Sequence, residues 1–194
     1  DNEQWRNMNS AAFCNYNNDN ALSENYGKLY NWFAVNDLRN ICPEGWYIPT
    51  EADWQQLEIY FDINNNELYT SGWRTDYFGC FLRETSTEFW QENIGNNINL
   101  SGFSARPAGM RSFTGEFHYI NTHATWWTAT ESNLRDSWMR GVGMNTCSIY
   151  RNDGRKTMGF SVRCVKDFVD DTQPEDMSIS TFEAYDILAF SAKS

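Results

Sequence analysis

The chain has 194 residues, enough for one domain with a sizeable core, and a net charge of −11. Its Lys and Arg residues are scattered, so a phosphate backbone would be repelled and nucleic acid is disfavoured as a partner. No apolar stretch approaches the roughly 20 residues of a membrane span, so no span is predicted. The first residues lack a signal-peptide pattern, and we therefore expect a mature or trimmed chain.

The five cysteines, at positions 14, 42, 80, 147 and 164, occur without a CxxC pair or a neighbouring His. This spacing argues against a zinc site or a redox motif and leaves disulfides or simple burial. Cys42 and Cys164 stand at the edges of predicted strands, and a disulfide would join them if those strands lie together in one sheet. The odd count leaves at least one thiol free or paired between chains.

The first half of the chain predicts two helices and a strand between them. Apolar residues on one helical face indicate a short helix over 26–35. Residues 46–49 read as a brief strand, and the segment Thr50-Glu-Ala-Asp53 then matches a capping box that begins a helix at position 51. The buried stripe of that helix is predicted to be Trp54, Leu57 and Phe61.

The second half predicts hairpins and then a change of character. Short aromatic runs broken by Gly and Asn over 72–163 are typical of irregular β structure, and 159–166 reads as a closing strand. An acidic linker follows Asp167. We therefore expect one domain over 1–167 and a separate C-terminal extension over 168–194.

Motifs for catalysis and metal binding are weak. Both near matches to Gly-x-Ser-x-Gly, at Ser104 and Ser161, carry Arg instead of the second Gly, so a hydrolase is not supported. His118 and His123 do not have the spacing of a helical metal pair, which favours a structural or solvent-exposed role. Asp62 opens a partial calcium-loop pattern that reads better as a helix stop. No cofactor is predicted, and a structural calcium ion stays open because Asn and Asp oxygens are abundant.

A candidate ligand-binding segment lies at 133–157, where rigid rings alternate with adaptable hydrogen-bond donors. That mixture is typical of recognition surfaces, although an ordinary solvated hairpin explains it equally well. The neighbouring pair Trp126-Trp127 is expected in the core rather than in a sugar-stacking platform. The candidate ligand-binding residues are Trp138, Arg140, Asn145, Tyr150, Arg151, Asn152 and Arg155.

Six blocks of the sequence stand in a recognisable order. They are Cys14-Asn-Tyr-Asn-Asn-Asp, Tyr26-Gly-Lys-Leu-Tyr-Asn-Trp-Phe-Ala-Val-Asn, Cys42-Pro-Glu-Gly-Trp-Tyr-Ile-Pro-Thr-Glu-Ala-Asp-Trp, Gly102-Phe-Ser-Ala-Arg-Pro-Ala-Gly-Met-Arg111, Trp126-Trp-Thr-Ala-Thr-Glu and Gly159-Phe-Ser-Val-Arg-Cys-Val-Lys-Asp167. Over roughly residues 5–167 the chain resembles the Fibrobacter succinogenes major paralogous domain, FISUMP, which is found on secreted and surface proteins of bacteria.

The resemblance implies an α+β, C-type-lectin-like fold with short antiparallel sheets, two helices and long irregular loops. It also implies that Cys42 and Cys164 form a disulfide at the closing seam of that fold, and that the protein is extracellular or on the bacterial cell surface. The calcium-dependent sugar motifs of animal C-type lectins are missing, and the family offers no catalytic residues to transfer. Family members begin with a further strand, which we expect to be removed by processing or supplied by another chain.

These observations predict a recognition or adhesion module that binds a glycan or a protein on another surface. One alternative is a structural subunit of a surface filament or coat that self-assembles through 168–194; an unchanged mass in solution after deletion of that segment would contradict it. A second alternative is a formylglycine-generating-type oxidase, which needs Cys147 to meet Cys80 or Cys164 as a reactive pair. Blocked thiols would favour the module over the oxidase.

Overall fold

A computed structural model describes residues 1–86, 88–91 and 97–167. Two single turns of 3-10 helix lie at Tyr16–Asn18 and Asn20–Leu22. Helices α1 to α5 span Asn2–Arg6, Ser23–Tyr26, Trp32–Val35, Glu51–Tyr60 and Phe78–Leu82. Strands β1 to β10 span Phe13–Cys14, Leu29–Tyr30, Trp46–Tyr47, Gly72–Arg74, Ala108–Arg111, Phe117–Ile120, His123–Glu131, Asp136–Gly143, Ile149–Arg155 and Val165–Lys166.

This inventory is a mixed α+β architecture, in agreement with the predicted class. It contains more than the two helices that the resemblance implies, but all of them except α4 are five residues or shorter. The ten residues of α4 make it the longest of the described helices. None of the helices in the described ranges has the length and apolarity that crossing a membrane requires.

The largest element is a six-stranded sheet in the order β4-β9-β8-β7-β5-β6. The predicted hairpins over 72–163 are therefore present, since β7, β8 and β9 pair antiparallel in sequence order. The sheet is nevertheless mixed, because β5 runs parallel to β7 at the Gly109–Ala124 bridge. A register shift between Trp127 and Glu131 marks an irregularity in β7, and such bulges bend a strand and increase its twist.

The closing seam of the domain is present, but its strand is shorter than the predicted 159–166, since only Val165–Lys166 form β10. Strand β10 pairs antiparallel with β3, so that Val165 lies opposite Tyr47 and Lys166 opposite Trp46. Next to this pair, Cys42 and Cys164 form a disulfide with their Cα atoms 5.8 Å apart. The disulfide that the resemblance implied is confirmed.

Helix α4 begins where the capping box predicts. The Asp53 amide donates to Thr50 Oγ1 at 3.3 Å, and the Thr50 amide donates to Asp53 Oδ2 at 2.8 Å. Trp54 and Leu57 are buried as expected, whereas Phe61 follows the last helical residue and is only partly buried. The helix thereby lays its apolar face on the sheet.

The core divides into clusters on the two faces of β7. Trp126 packs with Trp54 and Phe103 on one side, and Trp127 packs with Phe160 on the other. Successive side chains of a strand point to opposite faces, so two adjacent tryptophans serve two clusters. The prediction that this pair belongs to the core is confirmed.

The helix predicted over 26–35 is wrong in its first half. Leu29 and Tyr30 form strand β2, which pairs with β1 through Cys14 opposite Leu29. Helix α3 starts only after Asn31, whose side-chain oxygen accepts from the Ala34 amide at 3.1 Å. Asn31 is also buried and hydrogen-bonds to the 10–12 segment. These tertiary contacts outweigh the helical spacing of apolar residues, so residues 27–30 do not form a helix. The predicted extension at 168–194, and its role in self-assembly, lie outside the described residues.

Candidate functional site

A groove of about 400 Å³ lies on the face of the six-stranded sheet that is turned away from α4. Strands β8 and β9 form its floor, because every second residue of each strand points to this face. The edge strand β4 and the segment from β6 into β7 provide its rims. The side chains that define it are Trp73, Tyr119, His123, Met139, Tyr150 and Asn152.

Aromatic rings line the mouth of the groove. The Trp73 ring centroid lies 4.9 Å from that of Tyr150 and 6.4 Å from that of His123, and Tyr119 lies 4.8 Å from His123. Trp73 and Tyr119 are 47% and 54% exposed. Gly143 permits this arrangement, since a Cβ there would approach the His123 and Trp73 rings to 3.2 Å. The groove thus presents apolar ring surface to solvent.

Polar groups stand beside these rings. The Asn152 side-chain amide donates to the Tyr150 hydroxyl at 2.9 Å, and the Thr122 hydroxyl lies 3.0 Å from His123 Nδ1. Burial lowers the pKa of His123 below its ordinary value, so the imidazole is neutral at pH 7. A neutral imidazole offers one donor and one acceptor. The groove therefore combines ring faces with hydrogen-bonding groups and has no cationic histidine at neutral pH.

The structure does not bring the seven predicted ligand-binding residues together. Tyr150 and Asn152 line the groove. Trp138, Arg140 and Arg151 point to the opposite face of the sheet, toward α4. The remaining two are exposed elsewhere: Asn145 in the turn between β8 and β9, and Arg155 near Phe113, with its guanidinium carbon 4.1 Å from that ring.

Two of these residues require correction. Arg140 and Arg151 are 0% and 5% exposed, and each forms an ion pair with Glu51 of α4. Their guanidinium groups are therefore taken up inside the domain and cannot face a ligand in solution. Trp138 lies beneath the Arg151 guanidinium, 3.7 Å from its carbon, and is half-buried. Alternation along β9 places Arg151 inside and its neighbours Tyr150 and Asn152 in the groove.

The buried arginines belong to an ion-pair network between α4 and the sheet. The Glu58 carboxylate forms ion pairs with Arg140 Nε at 2.7 Å and with Arg74 Nη2 at 2.8 Å. The Glu51 carboxylate forms one with Arg151 Nε at 2.9 Å. All five residues are at most 8% exposed. The predicted stripe of α4 did not include either glutamate, because apolar periodicity ignores charged residues that are buried in pairs.

A metal centre has no counterpart in the ranges that the structure describes, where no three His, Cys, Asp or Glu side chains are grouped to hold an ion. Asp62 lies in the turn after α4 with φ 61°, which confirms the helix stop. His118 is partly exposed on β6, whereas His123 lines the groove.

A second disulfide joins Cys80 to Cys147, with their Cα atoms 4.7 Å apart. Sequence reasoning did not assign this pair. Cys14 is the remaining free thiol; it is buried, and burial raises its pKa. The oxidase alternative requires Cys147 to meet Cys80 or Cys164, and the first of these contacts is present as a disulfide. In this oxidation state neither sulfur is a nucleophile.

Residues 1–166 match the family described as the Fibrobacter succinogenes major domain. The chain belongs to this family. No curated protein and no solved structure matches it. The FISUMP resemblance is thereby confirmed.

Trp73, Tyr119 and His123 also line the groove of this FISUMP domain, but they were not among the predicted ligand-binding residues. Of these, only Trp73 shows a local signal, since it follows Gly72 at a strand start. Their convergence depends on β4 pairing with β9 and on β6 returning to the sheet beside β5. Those long-range pairings are not visible in a single sequence.

Proposed function

We propose that this FISUMP domain is a recognition or adhesion module that binds a glycan in the aromatic groove. The observation that carries the proposal is the half-exposed Trp73 ring packed against Tyr150 at the groove mouth. Contiguous apolar surface left in solvent, as distinct from single exposed rings, often marks an interaction site. The volume of about 400 Å³ falls within the range of small-ligand sites.

A sugar ring fits the chemistry of this groove better than a charged ligand does. One face of a pyranose is lined by C–H groups and packs on an aromatic ring, while its hydroxyl rim needs donors and acceptors. Trp73 and Tyr119 offer the ring faces, and Asn152 and the neutral His123 offer the polar partners. The arginines of the floor strands, Arg140 and Arg151, are engaged on the other side of the sheet. We therefore favour a neutral glycan over an acidic one.

A C-type-lectin-like fold and a location outside the cell form part of the same proposal. Two disulfides are compatible with an oxidising compartment, and the disulfide between Cys42 and Cys164 lies beside the pairing of β10 with β3, which is in keeping with such a fold. A protein ligand remains the competing occupant, since rings and amides also form protein-binding surfaces.

A glycan array with the purified chain tests the proposal. Wild type is expected to bind a set of neutral glycans, and Trp73→Ala is expected to weaken that binding at least about tenfold, because truncating a central ring removes stacking surface. Tyr150→Ala should act in the same direction. The matched control is Tyr60→Ala, which removes a ring of similar exposure at the end of α4.

Thermal melting of each variant separates binding from folding. Trp73 lies on an edge strand, so its removal should leave the melting temperature close to that of wild type. Glycan binding that survives Trp73→Ala unchanged would remove the groove from consideration. If wild type binds no glycan on the array, the glycan hypothesis is wrong and a protein ligand is favoured instead.

A further inference from the structure

The environment of the second disulfide is unusual in its charge. Arg83 directly follows α5, the helix that carries Cys80, and is 0% exposed. One of its terminal nitrogens, Nη2, lies 2.6 Å from Cys80 Sγ and 3.6 Å from Cys147 Sγ. A fully buried guanidinium is therefore in contact with both sulfurs and is nearer to Cys80.

Arg83 makes no ion pair with any carboxylate in the described part of the chain. Its other hydrogen bonds go to the carbonyl oxygens of Met144 and Thr146, both at 3.1 Å, and its Nε has no partner. Burial lowers the pKa of Arg83 accordingly. A buried cation without a counter-charge is costly, and a thiolate beside it would neutralise that charge.

We propose that Cys80–Cys147 is a thiol–disulfide exchange site that reacts with a dithiol reductant. The thiolate of the reductant attacks Cys147 Sγ, and the bond between the two protein sulfurs breaks with its electron pair going to Cys80, which becomes a thiolate beside Arg83. The second thiol of the reductant loses its proton and attacks the mixed disulfide. Cys147 then departs and takes up a proton. The reductant is oxidised to a disulfide, and the protein pair is reduced by two electrons.

The positions of the two sulfurs determine the direction of attack. Cys80 is 4% exposed, whereas Cys147 is half-buried in the turn between β8 and β9, so an incoming thiolate reaches Cys147 more easily. Exchange is faster when the departing thiol has a low pKa, and the guanidinium is closer to Cys80. Access and charge therefore select the same sulfur as the leaving group.

The two cysteines are also held together by contacts other than the disulfide. The Gly79 amide donates to the Cys147 carbonyl at 2.6 Å. A Cβ at Gly79 would lie 2.4 Å from the Ser148 carbonyl oxygen, so only glycine lets α5 approach the turn this closely. Neither contact involves a sulfur atom, so opening the disulfide does not itself remove what holds α5 against the turn.

The disulfide between Cys42 and Cys164 provides an internal reference. No Arg or Lys side chain within the described ranges hydrogen-bonds to either of its sulfurs, and the Cys42 amide bonds to Asn40 Oδ1. Its reduced form therefore lacks the stabilisation that Arg83 gives to a Cys80 thiolate.

A redox titration of the full chain tests the proposal. The protein is equilibrated with mixtures of reduced and oxidised dithiothreitol, quenched in acid, and alkylated for peptide mass spectrometry. Cys80–Cys147 should open at a reduced-to-oxidised ratio at least about tenfold lower than Cys42–Cys164. Arg83→Gln should shrink this difference, and Arg106→Gln, which alters a half-exposed arginine, should not. Simultaneous opening of the two disulfides, or earlier opening of Cys42–Cys164, would overturn the proposal.

Two cysteine variants keep the test valid if Arg83→Gln does not fold. In Cys147→Ser, thiolate absorbance at 240 nm should appear below pH 8, because Cys80 is left beside Arg83; in Cys80→Ser it should appear at higher pH. The free Cys14 thiol contributes the same background absorbance in both variants. Equal thiolate titrations in the two variants would refute the role of Arg83. Glutathione should form a mixed disulfide on Cys147, and its formation on Cys80 instead would reverse the proposed direction.

Discussion

Glu58 has no exposed surface and binds two arginines, Arg74 at 2.8 Å and Arg140 at 2.7 Å. Replacing it with Gln removes the charge but keeps the shape, so both guanidinium groups lose a buried partner. Breaking a buried pair in this way costs about 3–5 kcal/mol, because the charge left behind is uncompensated. We expect Glu58→Gln to lower the free energy of unfolding by this amount, measured by urea denaturation.

An exposed ion pair provides the control for that measurement. Arg39 contacts Asp37 at 2.6 Å, but the Arg39 side chain is 80% exposed. Asp37→Asn should leave the free energy of unfolding nearly unchanged, because exposed pairs are solvated and screened. If the two substitutions have similar effects, burial is not what makes the Glu58 pairs important.

At the scale of single residues, the sequence predicted burial of rings better than burial of charges. Trp126 and Trp127 were predicted in the core because aromatic side chains bury large areas. Arg140 and Arg151 were predicted at the surface, where most arginines lie. Their partner Glu51 is separated from them by 89 and 100 residues, so no local pattern indicated the pairing.

Helix α4 shows a local signal that works at the scale of an element. Thr50 caps the helix through the Asp53 amide, and Asp53 bonds back to the Thr50 amide. Thr50→Ala leaves an amide of the first turn without this acceptor and should lower the free energy of unfolding by about 1 kcal/mol in urea denaturation. Thr70→Ala is the control, since the Thr70 hydroxyl only donates to the Glu67 carbonyl in an exposed turn. Equal effects of the two changes would contradict a capping contribution.

Elements without such a signal were predicted less well. The segment 26–35 has an apolar helical period, yet Leu29 belongs to a strand because Cys14 pairs with it from outside the segment. The capping box of α4 involves residues three positions apart and is visible in any window of the sequence. The pairing of β1 with β2 depends on the rest of the fold, so no window of the sequence shows it.

For the whole molecule, the strongest prediction concerns the disulfide between Cys42 and Cys164, which are 122 residues apart. A loop of this length lowers the entropy of the unfolded chain by an amount worth about 5 kcal/mol. The double variant Cys42→Ser/Cys164→Ser should lose stability on this scale in guanidinium denaturation. In the chain-entropy relation the Cys80–Cys147 loop, with a separation of 67, contributes about 0.5 kcal/mol less. If Cys42→Ser/Cys164→Ser is as stable as wild type, this disulfide does not stabilise the fold in the way proposed.

The frame of the molecule was more predictable than its site. The closing strand pair, the disulfide at the seam and the hairpin region each have sequence blocks that resemble the family. The groove instead arises from the strand order β4-β9-β8 and from β5 running parallel to β7. A strand order of this kind is a property of the folded chain, and only Tyr150 and Asn152 of the seven predicted ligand residues were placed in the groove.

The two disulfides are nested, because Cys80 and Cys147 both lie between Cys42 and Cys164. The backbone from 42 to 164 is therefore a covalent ring with a second ring inside it. One peptide bond cut anywhere within the outer ring leaves both pieces attached, and a cut between 80 and 147 leaves them attached at two points. Opening the inner ring by reduction removes one of these attachments, while the outer disulfide still holds the two pieces together. A protease must therefore cut this ring at least twice to release a fragment.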